Sequence, residues 1–148
     1  MGHTGKKIMK VAYIDGSAGA SGDMLLGALL DSGIKLSYLQ DILRKLNVSG
    51  VTLKSGKDAR GGVPGTRLEV VLTEDASQPR RWQEFVDIVT SSSLSDAVKD
   101  RSVAVFKVIG NAEAMVHGTD PEHVHLHELG TLDTLIDVVG VVAGFEKA

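Results

Sequence analysis

Three of the chain's five histidines stand at alternate positions, His123, His125 and His127, and Glu128 follows the last of them. In an extended segment, a period of two puts all three imidazoles on one face. Such a set suits a borderline metal such as zinc, nickel or copper. In a helical segment, His123 and His127 share a face and His125 points elsewhere. Glu128 would then act as a ligand, as a group that orients a ligand, or as a base. His117 and Asp120 lie just upstream, and Asp133 and Asp137 just downstream, four residues apart in an apolar run. Asp133 falls at a helix start, where the helix dipole favours an acid. Asp137 falls in the helix interior and has no such local role, so it is read as reaching toward the site. His117, Asp133 and Asp137 are therefore supporting candidates. The plain alternatives for the histidines are a solvated edge strand or capping contacts for the last helix.

A second cluster occupies residues 15–23: Asp15, Gly16, Ser17, Ala18, Gly19, Ala20, Ser21, Gly22 and Asp23. A predicted strand runs into it and a predicted helix runs out of it. This arrangement presents free backbone N–H groups at a helix N-terminus, where an anion is stabilised. Small residues let a ligand approach the backbone closely. Ser17, Gly19, Ser21 and Gly22 are the candidate phosphate-binding residues. Asp15 and Asp23, with Glu128, are the candidate catalytic acids. The glycines fall as G-x-x-G-x-x-G rather than G-x-G-x-x-G, and Asp23 stands where a P-loop has lysine. Acids at both ends of the loop oppose a bare phosphate and make more sense if a metal ion or a cationic group binds as well. The plain alternative is a tight strand-to-helix turn capped by Asp23.

The elements that must hold these clusters follow from periodicity and punctuation. Residues 1–8 read as a flexible leader and 9–148 as a single domain. Residues 8–15 read as a strand and 24–31 as a helix. Ser37 opens a second helix that buries Leu39, Ile42, Leu43 and Leu46. Residues 51–60 and 66–72 alternate like the arms of a hairpin, joined by a glycine-rich loop. Helices follow at 82–91, 94–117 and 132–145, with Gly118 placed to end the second of them. The order is strand, two helices, hairpin, three helices, an α+β fold whose small three-stranded sheet is covered by helices. Trp82, Met24 and Met115 read as packing residues, and Arg80 and Arg81 as a solvated patch. The last helix is apolar nearly all round, so it is either deeply interior or an interface for a homo-oligomer or partner chain.

Composition narrows the function. The chain has 148 residues, 43% apolar and 24% charged, with a net charge of −3. That balance gives no general attraction to nucleic acid, and 4% aromatic residues offer no stacking platform. With no cysteine there is no thiolate metal site, iron–sulfur cluster, disulfide or cysteine nucleophile. The absence of a long apolar run argues against a membrane span, and the reading is of a cytoplasmic protein.

The segments KVAYIDGSAGASGDMLLGALLDSG, AEAMVHG and HVHLHELGTLDTLIDVVG resemble the N-terminal part of the LarC family of nickel insertion proteins. The likeness runs in order from Lys10 to Gly140. It implies insertion of Ni(II) into a pyridinium bis-thiocarboxylate mononucleotide, making the nickel-pincer cofactor of lactate racemase. The step is CTP-dependent in the full family, with Mn or Mg. The first family motif matches residues 15–24, most firmly at Ser21, Gly22 and Asp23. The second matches His117 and Gly118. The third matches His125, His127, Glu128, Gly130, Asp133 and Asp137. Many relatives carry a histidine-rich run after the hairpin, whereas residues 73–82 here contain no histidine. Relatives also continue into a C-terminal domain linked to CTP, so the chain is expected to be the N-terminal half of a longer architecture. The alternative reading is a non-catalytic divalent-metal-binding or assembly subunit that needs a separate C-terminal chain. A phosphotransferase or nucleotide hydrolase is disfavoured by the missing P-loop lysine.

Overall fold

The computed structural model describes residues 11–17, 19–121, 124 and 126–148. The predicted leader, and the first part of the predicted strand at 8–15, lie outside them. The elements run α1 (Gly22–Asp31), α2 (Leu36–Leu46), β1 (Val51–Arg60), β2 (Val63–Leu72), α3 (Trp82–Ser91), α4 (Asp96–His117) and α5 (Leu132–Lys147). Short 3-10 turns cover Asp75–Ser77 and His127–Gly130. The class is α+β, as the patterning indicates.

Several helix ends have a local cause. Helix α2 ends on Asn47, a left-handed cap at φ 54°, a conformation Asn tolerates better than most residues. Helix α4 starts on Ser95, whose hydroxyl accepts the Val98 N–H at 3.4 Å, and stops at Gly118 with φ 61°. At the start of helix α3 the Arg81 N–H donates to Glu84 Oε1 at 3.1 Å, and the Glu84 N–H donates back to the Arg81 carbonyl at 3.0 Å.

The sheet differs from the expectation. It has two antiparallel strands, β1 and β2, paired from Val51 opposite Leu72 to Arg60 opposite Val63. No third strand occurs among the described residues. Residues 11–15 have β-type composition but no regular structure there, and Val11, Tyr13 and Ile14 are exposed. A strand exists through the neighbour it pairs with, and no described strand pairs with this segment.

Helix α5 is the centre of the molecule. It buries Leu132, Leu135, Ile136, Val139, Gly140, Ala143 and Gly144, and it packs on α1, α2, α4 and β2. One face of its nearly continuous apolar surface is therefore used inside the chain, while Val138, Val141 and Val142 are half-buried and Phe145 is exposed. Two small residues let α1 come close: a Cβ at Gly140 would sit 3.0 Å from Leu26 Cδ2, and one at Gly144 would press on Leu29. On its other side α1 meets the hairpin, where a Cβ at Gly27 would collide with the Thr66 carbonyl oxygen. Asp31 fixes this second contact. It accepts Lys57 Nζ at 2.7 Å and the Thr66 N–H at 2.8 Å, and these partners hold its carboxyl down at about 2. The methionines expected in the core are exposed, Met24 on α1 and Met115 on α4. Phe85 and Phe106 fill the α3–α4 contact instead, with ring centroids 5.3 Å apart.

Candidate functional site

The glycine turn is built by its own short-range bonds. Gly19 N–H donates to the Gly16 carbonyl at 2.9 Å, and Gly19 takes φ 94°, a conformation that favours glycine. Asp15 accepts the Ser17 N–H at 3.0 Å, which lowers its carboxyl pKa. Ser21 is the residue before α1, in extended conformation. Its hydroxyl donates to Asp23 Oδ1, and the same oxygen accepts the Met24 N–H at 2.9 Å. Asp23 therefore serves the helix start as expected of an acid in a first turn.

The contact that matters is between α1 and α5. A Cβ at Gly22 would land on the Asp137 side chain, so glycine at this position is what allows Asp137 to lie against the first turn of α1. Asp137 is half-buried. Its carboxyl is pushed up to about 7 by burial first, then by the charges of Asp133 and Asp23. Asp133 is raised as well, by burial and by Asp23. The Oδ1 atom of Asp137 is buried and has no hydrogen-bond partner among the described residues. The two sequence clusters thus meet where Gly22 lies against Asp137, with Asp23 and Asp133 near enough for their charges to raise the Asp137 carboxyl. The interior position of Asp137, odd from sequence, has this placement as its explanation.

The histidine segment leads into the same crossing. His127 opens the 3-10 turn His127–Gly130, which is followed by Thr131 and then the first turn of α5. Val124 and Leu126 are buried and anchor the segment in the core. His123 and His125 lie outside the described residues, as do the side chains of His127 and Glu128, so the choice between an extended and a helical histidine face lies there too. His117 lies at the end of α4, with Nε2 3.3 Å from Glu113 Oε2 of its own helix. Among the described residues alone, no group of three or more His, Asp or Glu side chains is arranged to hold a metal ion.

Two residues that sequence reasoning set aside position this segment. The Arg80 backbone N–H donates to the Gly130 carbonyl at 2.8 Å, which ties the chain before α3 to the turn, while its guanidinium lies 3.9 Å from Glu84 and is about a third exposed. The Trp82 indole N–H donates to the Pro121 carbonyl at 2.6 Å, while its ring covers Gly110 at 2.9 Å from the place a Cβ would take. Trp82 thus has the packing role expected of it. Both contacts span some forty residues or more, and neither has a short-range signal.

Two open grooves flank α1. One, of about 480 Å³, runs along the hairpin and is lined by Asp23, Asp58, Thr66 and Arg67 among others. The other, of about 430 Å³, lies between α1, residues 12–15 and the end of α5, with Met24, Leu25, Leu29 and Phe145 in its wall. No helix among the described residues is long and apolar enough to cross a membrane.

Fold and crossing together define a small α+β unit in which a glycine-rich helix start meets an acidic helix start preceded by a histidine segment. The chain belongs to the nickel insertion protein family, whose model matches residues 12–148. A relative from Thermomicrobium roseum is 47% identical over 140 residues, which is 93% of this chain and 34% of the relative. Pyridinium-3,5-bisthiocarboxylic acid mononucleotide nickel insertion proteins of a Nocardioides species and of Desulfitobacterium hafniense are 44% and 41% identical. Each alignment covers 93% of this chain, and 35% and 34% of those proteins respectively. The chain therefore spans about a third of the length of these relatives. No solved structure matches it.

Proposed function

We propose that this chain is the nickel-handling N-terminal part of an insertase that loads Ni(II) into a pyridinium bis-thiocarboxylate mononucleotide. The observation that carries the reading is the meeting of the two clusters, with Gly22 of one packed against Asp137 of the other and the charge of Asp23 raising that carboxyl, next to the histidine-bearing turn. Nickel is the cargo. His123, His125, His127 and Glu128 capture it, and Asp133 and Asp137 support them. Mixed nitrogen and carboxylate ligation is firm enough to load and loose enough to release. The mononucleotide's phosphate meets the amides of Gly19 to Gly22 and the hydroxyls of Ser17 and Ser21. Its ring lies in the hairpin-side groove, with Asp23 at one end and the Arg67 cation in the wall. Asp15, Asp23 and Glu128 hold or move protons as the substrate's acid groups give way to metal. The CTP-dependent step, with Mn or Mg, belongs to the remaining two-thirds of the family architecture, which completes the insertase. In this reading the protein works in the cytoplasm.

The test is calorimetric titration of nickel and zinc into the purified chain and into a His125→Ala, His127→Ala double variant. The wild type binds, the double variant does not, and wild-type affinity falls below about pH 6 as the imidazoles protonate. Equal binding by the two proteins removes the histidine cluster from the site.

A further inference from the structure

The segment at residues 11–15, VAYID, is the least satisfied part of the described chain. Its composition is that of a buried strand, alternating and β-branched. Yet Val11 is 79% exposed, Tyr13 90% and Ile14 54%. The backbone groups of residues 11–14 make no hydrogen bond to any described residue. Behind the segment lies the groove of about 430 Å³, walled by Ala12, Ile14, Met24, Leu25, Leu29 and Phe145. A row of backbone groups without a partner among the described residues, beside an apolar trough, is what β-strand addition uses, with the backbone supplying affinity and the trough taking alternate side chains.

What covers it is constrained by the chain's size relative to its family. The alignment to the Thermomicrobium roseum protein uses 93% of this chain and 34% of that relative. About two-thirds of the relative's length therefore has no counterpart here. Within the described chain, β1 and β2 pair with each other and leave residues 11–15 without a partner. The geometry points to an apolar β-strand from the remaining two-thirds of the family architecture, paired along residues 11–15 and seated in the groove between them and α1. Asp15, Gly19 and Ala20 line the same groove. The added strand therefore closes one side of the glycine turn and completes its shape. This inference rests on the fold and on family membership, and it is independent of which metal the histidines bind.

The probe is the part of the Thermomicrobium roseum relative that lies beyond its matched third, expressed as a separate chain and mixed with this full chain at about 20 μM each. Hydrogen exchange of the amides of residues 11–15 is then followed with and without the probe. The expected result is complex formation with exchange in this segment slowed about tenfold or more. Tyr13→Pro, which removes a backbone donor from an exposed position, should weaken the complex about tenfold or more, while Tyr13→Ala keeps most of the affinity. Circular dichroism of the two variants should match the wild type, because Tyr13 is 90% exposed. No complex, a complex without protection of residues 11–15, or equal loss with Tyr13→Pro and Tyr13→Ala would each overturn the proposal. Equal protection on raising the concentration of this chain alone would overturn it in favour of a second copy as occupant. Nickel titration of the same variants separates this result from the metal reading.

Discussion

Asp137 shows most clearly what a single residue contributes here. A carboxyl kept near 7 by burial and by two other acids binds a proton that the unfolded chain has already released above about 4. Between those values the folded state therefore carries more protons than the unfolded one, and stability falls as pH rises toward 7. Asp137→Asn removes the charge and keeps the shape, so the variant should be more stable than wild type at pH 8. A gain of about 1 kcal/mol, or roughly 2–4 °C in melting temperature, is the expected scale. At pH 4, where wild-type Asp137 is already neutral, the two proteins should melt together. A variant less stable at both pH values would mean that Asp137 is held by favourable partners rather than by strain. The same property makes Asp137 useful to a cation, because a divalent ion relieves the repulsion and displaces the proton.

At the scale of elements, glycines decide where α1 lies, and α1 decides where Asp23 lies. Gly27 faces the Thr66 carbonyl of a paired strand, which cannot move aside without breaking the β1–β2 ladder. Gly27→Val should cost about 2–3 kcal/mol by overpacking, read as a lower urea midpoint with an unchanged slope. Gly56 is the control: it lies in β1 with nothing near the place of its Cβ, so Gly56→Val should be neutral or slightly stabilising. If both variants behave alike, the close approach of α1 to the hairpin is not what positions the helix. These elements were legible in the sequence because their signals are local. The hairpin arms, the helix at 82–91 and the Gly118 stop needed no long-range information, and the predicted and observed ends differ by at most three residues. The strand at 8–15 was predicted from equally good composition. A strand's partner is not encoded in its own residues, and the described partnerless part at 11–15 has no ladder.

For the molecule as a whole, two clusters more than ninety residues apart in sequence end at one helix crossing. Sequence reasoning named the residues but could not place them together, because their meeting depends on α5 running through the core. The apolar surface of α5 was compatible with either an interior helix or an interface. Its contacts with α1, α2, α4 and β2 bury one face of it in the core. The bonds from the Arg80 backbone N–H to Gly130 and from the Trp82 indole to Pro121 had no local signal for the same reason, since each joins distant parts of the chain. The central claim is that the glycine-turn cluster and the histidine cluster form a single metal-handling site. The most direct measurement is a double-mutant cycle on nickel affinity, with Asp23→Asn and His127→Ala made singly and together and titrated at about pH 7.5. One shared site predicts that the combined loss differs from the sum of the single losses by about 1 kcal/mol or more. Losses that add to within about 0.3 kcal/mol, or nickel binding indifferent to Asp23, would mean that the two clusters are neighbours without a common ligand.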